Sequence, residues 1–404
     1  MNSLLVFTAL FQPILFSYTE IDITPPGPLP LGGYTMRQDK LMEGVKDKLY
    51  ARVIFLKQGN KEVLLVSCEM LTIPASLTNA IESRLKERGM NAQLFLAATH
   101  THCAPDSQML NDRMRMKIPG IAIFNPEWLE WYASKISEGI VLMPPLKALS
   151  NVHLVTGIAK LNRPRIEGRI ADETVARVIL ETQEGTVEIF HYSAHPTIFS
   201  ENMNQTSGDY PGILCNLRKN RMFFNGAQGD IAPSPPSGST EEERAKRMAH
   251  ALEQTAMTRS KKINLSTLEI KKRKLDIPSV KPHPEFAKRN NIPDALAQIL
   301  VSSFAYTEAE VVVIQIGELA FAGIPGEPTA ELGRQIQKTL QETREVENVL
   351  IVSFVNRWLG YVLTTDEYEK GGYEASLSFH GANLGNSILD AMKKLFNLQY
   401  VSLN

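Results

Sequence analysis

"AEVVVIQIGELAFAGIPGEPTAELGRQIQKTL", Ala309 to Leu340, compresses the architecture into one stretch. It reads as strand, turn, strand, then a tight Pro325-Gly326 turn and a helix beginning near Pro328. Glu327 is thereby delivered to a strand-to-helix junction. Two further hairpins precede it in the chain. "YARVIFLKQGNKEVLLVSCEML", Tyr50 to Leu71, is a hairpin of two β-branched runs around Gln58-Gly59-Asn60, followed by a helix from Ala75 to about Arg88. "ARVILETQEGTVEIFHYSAH", Ala176 to His195, is a second hairpin with its turn at Glu184-Gly185. Asn125-Pro126 is an N-cap with proline at the first helical position, and Thr240 with Glu243 has the capping-box spacing. Strands and helices follow a mixed order, so the fold class expected is α/β, with layered mixed β-sheets flanked by helices. No internal repeat is visible in the residues.

The chain has 404 residues, 43% apolar and 22% charged, with a formal charge of -1. A sizeable core is available, and the charge balance gives no reason to expect nucleic acid as a partner. Neither G-x-G-x-x-G nor the phosphate-loop pattern occurs. Cys68, Cys103 and Cys215 are an odd number and suggest no disulfide framework. Residues 1–17 form an apolar, signal-like segment without a basic start, which favours export, periplasmic or secreted, over a cytoplasmic location. Nothing is long enough to span a bilayer, and the expected domain is 18–404. The segment Ser260 to Phe286 is basic and strand-like with a solvated charged face, and its Pro-rich end, "IPSVKPHPEF", is read as a subdomain linker or long loop.

Chemistry concentrates at strand ends. In "AQLFLAATHTH", Ala92 to His102, the histidines are two apart, and on a strand such residues face one side, so His100 and His102 can point into one cleft. His195 also ends a strand. Imidazoles from separate segments suit a catalytic zinc with one position left open, although each histidine alone could equally be a buried polar core group. Cys103 as a nucleophile lacks any local signature. The loop "NGAQGDIAPSPP", Asn225 to Pro236, is either a plain tight turn or a cradle of backbone N–H groups for an oxyanion.

Taken together, "EIDITPPGPLPLGGY", "THTHCAP", "LNRPRI", "AHPTIFS", "SGDYPG", "AQGDIAP", "IPGEPT" and "YVLTTDEYEKGGYEAS" resemble the neutral/alkaline (non-lysosomal) ceramidase family, in the family's order, over roughly residues 20 to 395. The resemblance implies a ceramidase-like catalytic domain that cleaves an N-acyl amide of a lipid or small molecule with Zn²⁺. His100, His195, Glu327 and Tyr361 fall on the family's zinc ligands, and His102, Arg163 and Tyr373 on residues lining its active site. The implied mechanism uses a zinc-activated water, oxyanion donation from Arg163 or Tyr373, and His102 as general acid. The family's G-[DN]-x-S-P serine is replaced by Ala232 here, and the family's C-terminal β-sandwich is not expected. Two alternatives therefore stand: a zinc hydrolase of a smaller amide or ester, and a metal-dependent binding protein without turnover.

Overall fold

The structure, a computed structural model, describes residues 12–396. Its central strands are apolar in both phases because both of their faces are covered. Along Glu310–Ile316, Val312 and Ile314 enter one cluster while Val311 and Val313 enter another. Along Lys61–Cys68, Val63 and Leu65 join that first cluster and Leu64 and Val66 turn the other way. A two-residue period with no polar phase makes a strand sandwiched between layers.

Three sheets share the first cluster. In hydrogen-bonded order the first is Gln93–Ala98, Lys61–Cys68, Tyr50–Gln58, Leu15–Asp22 and Lys147–Ala148. The second is Arg221–Asn225, Gly185–Tyr192, Thr174–Thr182, Asn151–Ile158 and Arg259–Lys262, and the third is Asn348–Val352, Leu319–Gly323, Glu310–Ile316 and Leu268–Lys274. Ile54, Leu65 and Phe95, then Val178, Ile189 and Phe224, then Ile314, Phe321 and Val352 meet in this common core. Two helices cover each outer face: Ala75–Glu87 with Pro126–Val141, Asp209–Asn216 with Glu241–Gln254, and Ala330–Gln341 with Leu384–Leu395.

One unit builds all three sheets: three successive antiparallel strands, a helix, a fourth strand parallel to the third, and a second helix. The helix is needed because parallel neighbours cannot be joined by a tight turn. Reading the residues missed this repeat because it is one of topology. In each unit the third and fourth strands run side by side in one direction, so their two following loops emerge together, where open α/β sheets place ligands.

Several local expectations hold. Asn125 accepts from the Glu127 and Trp128 amides ahead of Pro126, and the Thr240 hydroxyl caps Glu241–Gln254. The basic segment contains the strand Leu268–Lys274, and its Pro-rich end, residues 275–283, is a loop leading into helices Pro284–Arg289 and Asp294–Phe304, which pack through Phe286, Val301 and Phe304 around Phe379 and Trp358. Of the signal-like segment, residues 1–11 lie outside the described residues, and Leu15–Ser17 pair with Phe55–Lys57 in the first sheet. Among the described residues no helix is long and apolar enough to cross a membrane, and the three cysteines are buried and free.

Candidate metal centre

The loops after the parallel pairs converge on one point. His100 follows Gln93–Ala98, His195 follows Gly185–Tyr192, and Glu327 follows Leu319–Gly323. Glu327 Oε2 lies 3.5 Å from His100 Nε2 and 3.5 Å from His195 Nε2. All three residues are buried. Tyr361 joins them because Glu327–Pro328 and Tyr361–Val362 form a short parallel pair with Glu327 beside Tyr361, which puts the phenol oxygen 3.3 Å from His195 Nε2.

In each sheet one strand of the parallel pair supplies a donor and the other supplies the group that orients it. His100 Nδ1 donates to the Leu71 carbonyl at 2.6 Å, just past Lys61–Cys68. His195 Nδ1 donates to the Gln228 and Ile231 carbonyls at 2.9 and 3.2 Å, past Arg221–Asn225. The Trp358 indole N–H, past Asn348–Val352, donates to Glu327 Oε1 at 2.8 Å. A carbonyl can only accept, so both imidazoles carry their proton on Nδ1 and turn an Nε2 lone pair inward. Burial pushes the His100 pKa down and that of His195 well down, keeping both neutral.

These donors fit a cation. Glu327 Oε2 is buried without a hydrogen-bond partner and faces two lone pairs. Three electron-pair donors aimed at one another repel unless a positive charge sits among them. Two imidazoles and a carboxylate are the ligands that borderline divalent ions take, so His100, His195 and Glu327 could hold a metal ion. Burial and the Glu327 carboxylate push the Tyr361 phenol well above its ordinary pKa, a bias that a bound cation opposes.

Strand alternation does not place the histidine pair. The strand stops at Ala98, and His100 adopts φ +73° in the left-handed region. Its ring stacks on Phe354, 4.3 Å between centroids. His102 reaches the site from this bend, its Nε2 3.3 Å from His100 Nε2. Tyr34 packs on its ring at 4.7 Å, pinned by its hydroxyl to the Phe199 carbonyl. Gly33, at φ +87°, lies flat against His102 Nδ1, where a Cβ would overlap the ring.

Arg163 is corrected by its neighbour. It stands exposed in Asn162–Pro164, paired in register with Ala232. Arg165 turns inward instead: its Nη1 lies 3.3 Å from Tyr361 Oη, 3.3 Å from the Gly229 carbonyl and 3.2 Å from Glu374 Oε1. Two arginines in "NRPR" look alike in sequence, and only the Asn162–Pro164 pairing with Ile231–Pro233 separates them. Tyr373 is half-exposed at the mouth, its ring 5.9 Å from that of Tyr361 and 5.6 Å from the Arg165 guanidinium carbon. The Asn225–Pro236 loop also works differently from the proposed cradle: the Gly229 and Ile231 amides are spent on Pro328 and Gln228, and the Gln228 and Ile231 carbonyls grip His195. Trp358 gave no signal in sequence, because an indole donor to a buried carboxylate has no spacing rule.

Fold and site together define a three-sheet α/β protein with a buried two-histidine, one-carboxylate centre. Residues 295–389 match the family model described as neutral/alkaline non-lysosomal ceramidase, N-terminal. Neutral ceramidase A of Dictyostelium discoideum is 31% identical over 93 residues, 19% of this chain and 13% of that protein. Neutral ceramidase of Mycobacterium tuberculosis is 30% identical over 83 residues, 20% of this chain and 13% of that protein. The crystal structure of neutral ceramidase from Pseudomonas aeruginosa superposes with a TM-score of 0.79 at 17% identity, covering 96% of this chain and 74% of that one. Residues 295–389 thus resemble the neutral/alkaline ceramidase family, and the chain as a whole shares the fold of the Pseudomonas aeruginosa structure. The matched stretch spans only 13% of the length of either curated relative.

Proposed function

We propose that this chain is a zinc-dependent hydrolase of N-acyl amides, with His100, His195, Glu327 and Tyr361 holding the ion. The observation that carries this reading is the meeting of two backbone-locked imidazole lone pairs with the unpartnered Glu327 Oε2. A zinc ion bound there supplies Lewis acidity and a water that ionises near neutral pH, so no serine is required at Ala232. The remaining roles fall to this chain's own groups. Tyr373, at the mouth, donates its phenol proton to the developing oxyanion. His102, kept neutral at rest by burial and by the neighbouring histidines, takes up the proton released by the attacking water and passes it on to the leaving amine. Trp358 fixes the carboxylate and Leu71, Gln228 and Ile231 fix the imidazoles, so little reorganisation accompanies reaction. Ala232 alone favours a second reading, a metal-binding protein without turnover.

The test is metal analysis of the purified protein followed by assays on fluorescent ceramide and short N-acyl amines, with His100→Ala as control. One zinc per chain and turnover that disappears in the control are expected. Zinc without turnover supports the second reading, turnover on short amides alone points to a smaller substrate, and absence of metal removes the proposal.

A further inference from the structure

We propose that Arg165 receives an oxyanionic group on the leaving-amine half of the substrate, so that the amide cleaved is that of an acylated amino acid or a close analogue; this rests on the hydrolase reading above. All three hydrogen-bonding contacts of the guanidinium use one nitrogen, Nη1, on Gly229, Tyr361 and Glu374. Among the described residues nothing bonds Nε or Nη2, although the side chain is only 25% exposed. Those two nitrogens are one edge of the planar fork, and two parallel N–H groups are what a carboxylate or phosphonate engages bidentately.

The position is equally specific. The guanidinium touches the Tyr361 phenol, lies over Tyr373, and its charge disfavours protonation of His100, His102 and His195 alike. It therefore stands between the donor cluster and the mouth. The nearby carboxylates do not compete for its free edge. Glu374 holds Nη1, Glu327 faces the histidines and Trp358, and Asp230 and Glu367 share Arg169 while accepting from the Ala330 amide and the Thr329 hydroxyl. Exposed Arg163 adds positive charge two residues away. An acyl chain carries no charge beyond its carbonyl, so the anion belongs to the amine. Hydrolysis then adds water across the C–N bond, giving a carboxylic acid and a free amino acid with no oxidant or reductant.

The test compares N-octanoylglycine, N-octanoylaminomethylphosphonate and neutral N-octanoylglycinamide in wild type, Arg165→Met and Arg165→Lys. Turnover is read on zinc-loaded protein, and binding is also measured calorimetrically on metal-free protein, where no cation can take the carboxylate. The anionic substrates should exceed the neutral one in kcat/KM by about 10- to 100-fold, as bidentate charged hydrogen bonds imply. That ratio should fall towards one in Arg165→Met and partly in Arg165→Lys, with zinc stoichiometry reporting that each variant folds. Preference for the glycine over the phosphonate identifies carboxylate as the natural group; equal use identifies oxyanions in general. Equal kcat/KM for the anionic and neutral substrates overturns the proposal while leaving the hydrolase intact. Arg165-dependent binding without any turnover overturns the hydrolase reading and leaves the subsite, and absence of both removes the two together.

Discussion

His100, His195 and Glu327 ride on loops leaving the ends of parallel strand pairs, and each is clamped by the loop from the neighbouring strand. His102, Arg165 and Tyr373 surround the same point but are held by connecting segments: Gly33 and Tyr34 for His102, Glu374 for Arg165, and for the turn before Tyr373 the Glu285 carboxylate, which accepts from the Gly372 amide at 3.1 Å. The floor thus belongs to the repeated scaffold and the rim to the connections between elements within its units. Changes to the floor should be felt in metal affinity, whereas changes to the rim should be felt in turnover at constant metal content.

The sharpest break of this contrast is His195→Ala, which removes an inward lone pair and leaves Glu327 facing an incomplete set; bound zinc, measured by elemental analysis, and hydrolysis should both be lost. Tyr373→Phe should keep the metal and lower kcat by about 100- to 1000-fold, the usual cost of an oxyanion donor. Because Tyr373 is half-exposed, its thermal unfolding should stay within about 0.5 kcal/mol of wild type. Gly33→Ala drives a methyl into His102 and should reduce kcat by about 100-fold, the lower range for losing general acid–base assistance, again with unchanged zinc. Trp358→Phe keeps the packing on Phe379 but removes the donor to Glu327 Oε1; it should weaken zinc by about 10- to 100-fold in competition with a chelator, and added zinc should restore turnover.

Legibility in sequence divides along the same line. Hairpins, caps and the strand-to-helix placement of Glu327 followed from local rules, because β-branched runs, Asn-Pro and Pro-Gly act within a few residues. The threefold unit did not, since strands of equal role such as Lys61–Cys68 and Gly185–Tyr192 share a topology and no motif. His100 and His102 were recognised together for a reason that the left-handed bend at His100 replaces. At the rim, the choice between Arg163 and Arg165 depends on a pairing with Ile231–Pro233 that lies some seventy residues away in the chain, beyond the reach of spacing. Carbonyls of Gln228 and Ile231 took the place of the expected amides because the Gly226, Gly229, Ile231 and Ser234 N–H groups of that loop are committed to backbone partners.

The most direct measurement is crystallography of zinc-loaded protein with anomalous data at the zinc edge. One peak within bonding distance of His100 Nε2, His195 Nε2, Glu327 Oε2 and Tyr361 Oη is the predicted result. A peak elsewhere, or none while Glu327 Oε2 instead accepts a hydrogen bond from a neighbouring residue, contradicts it.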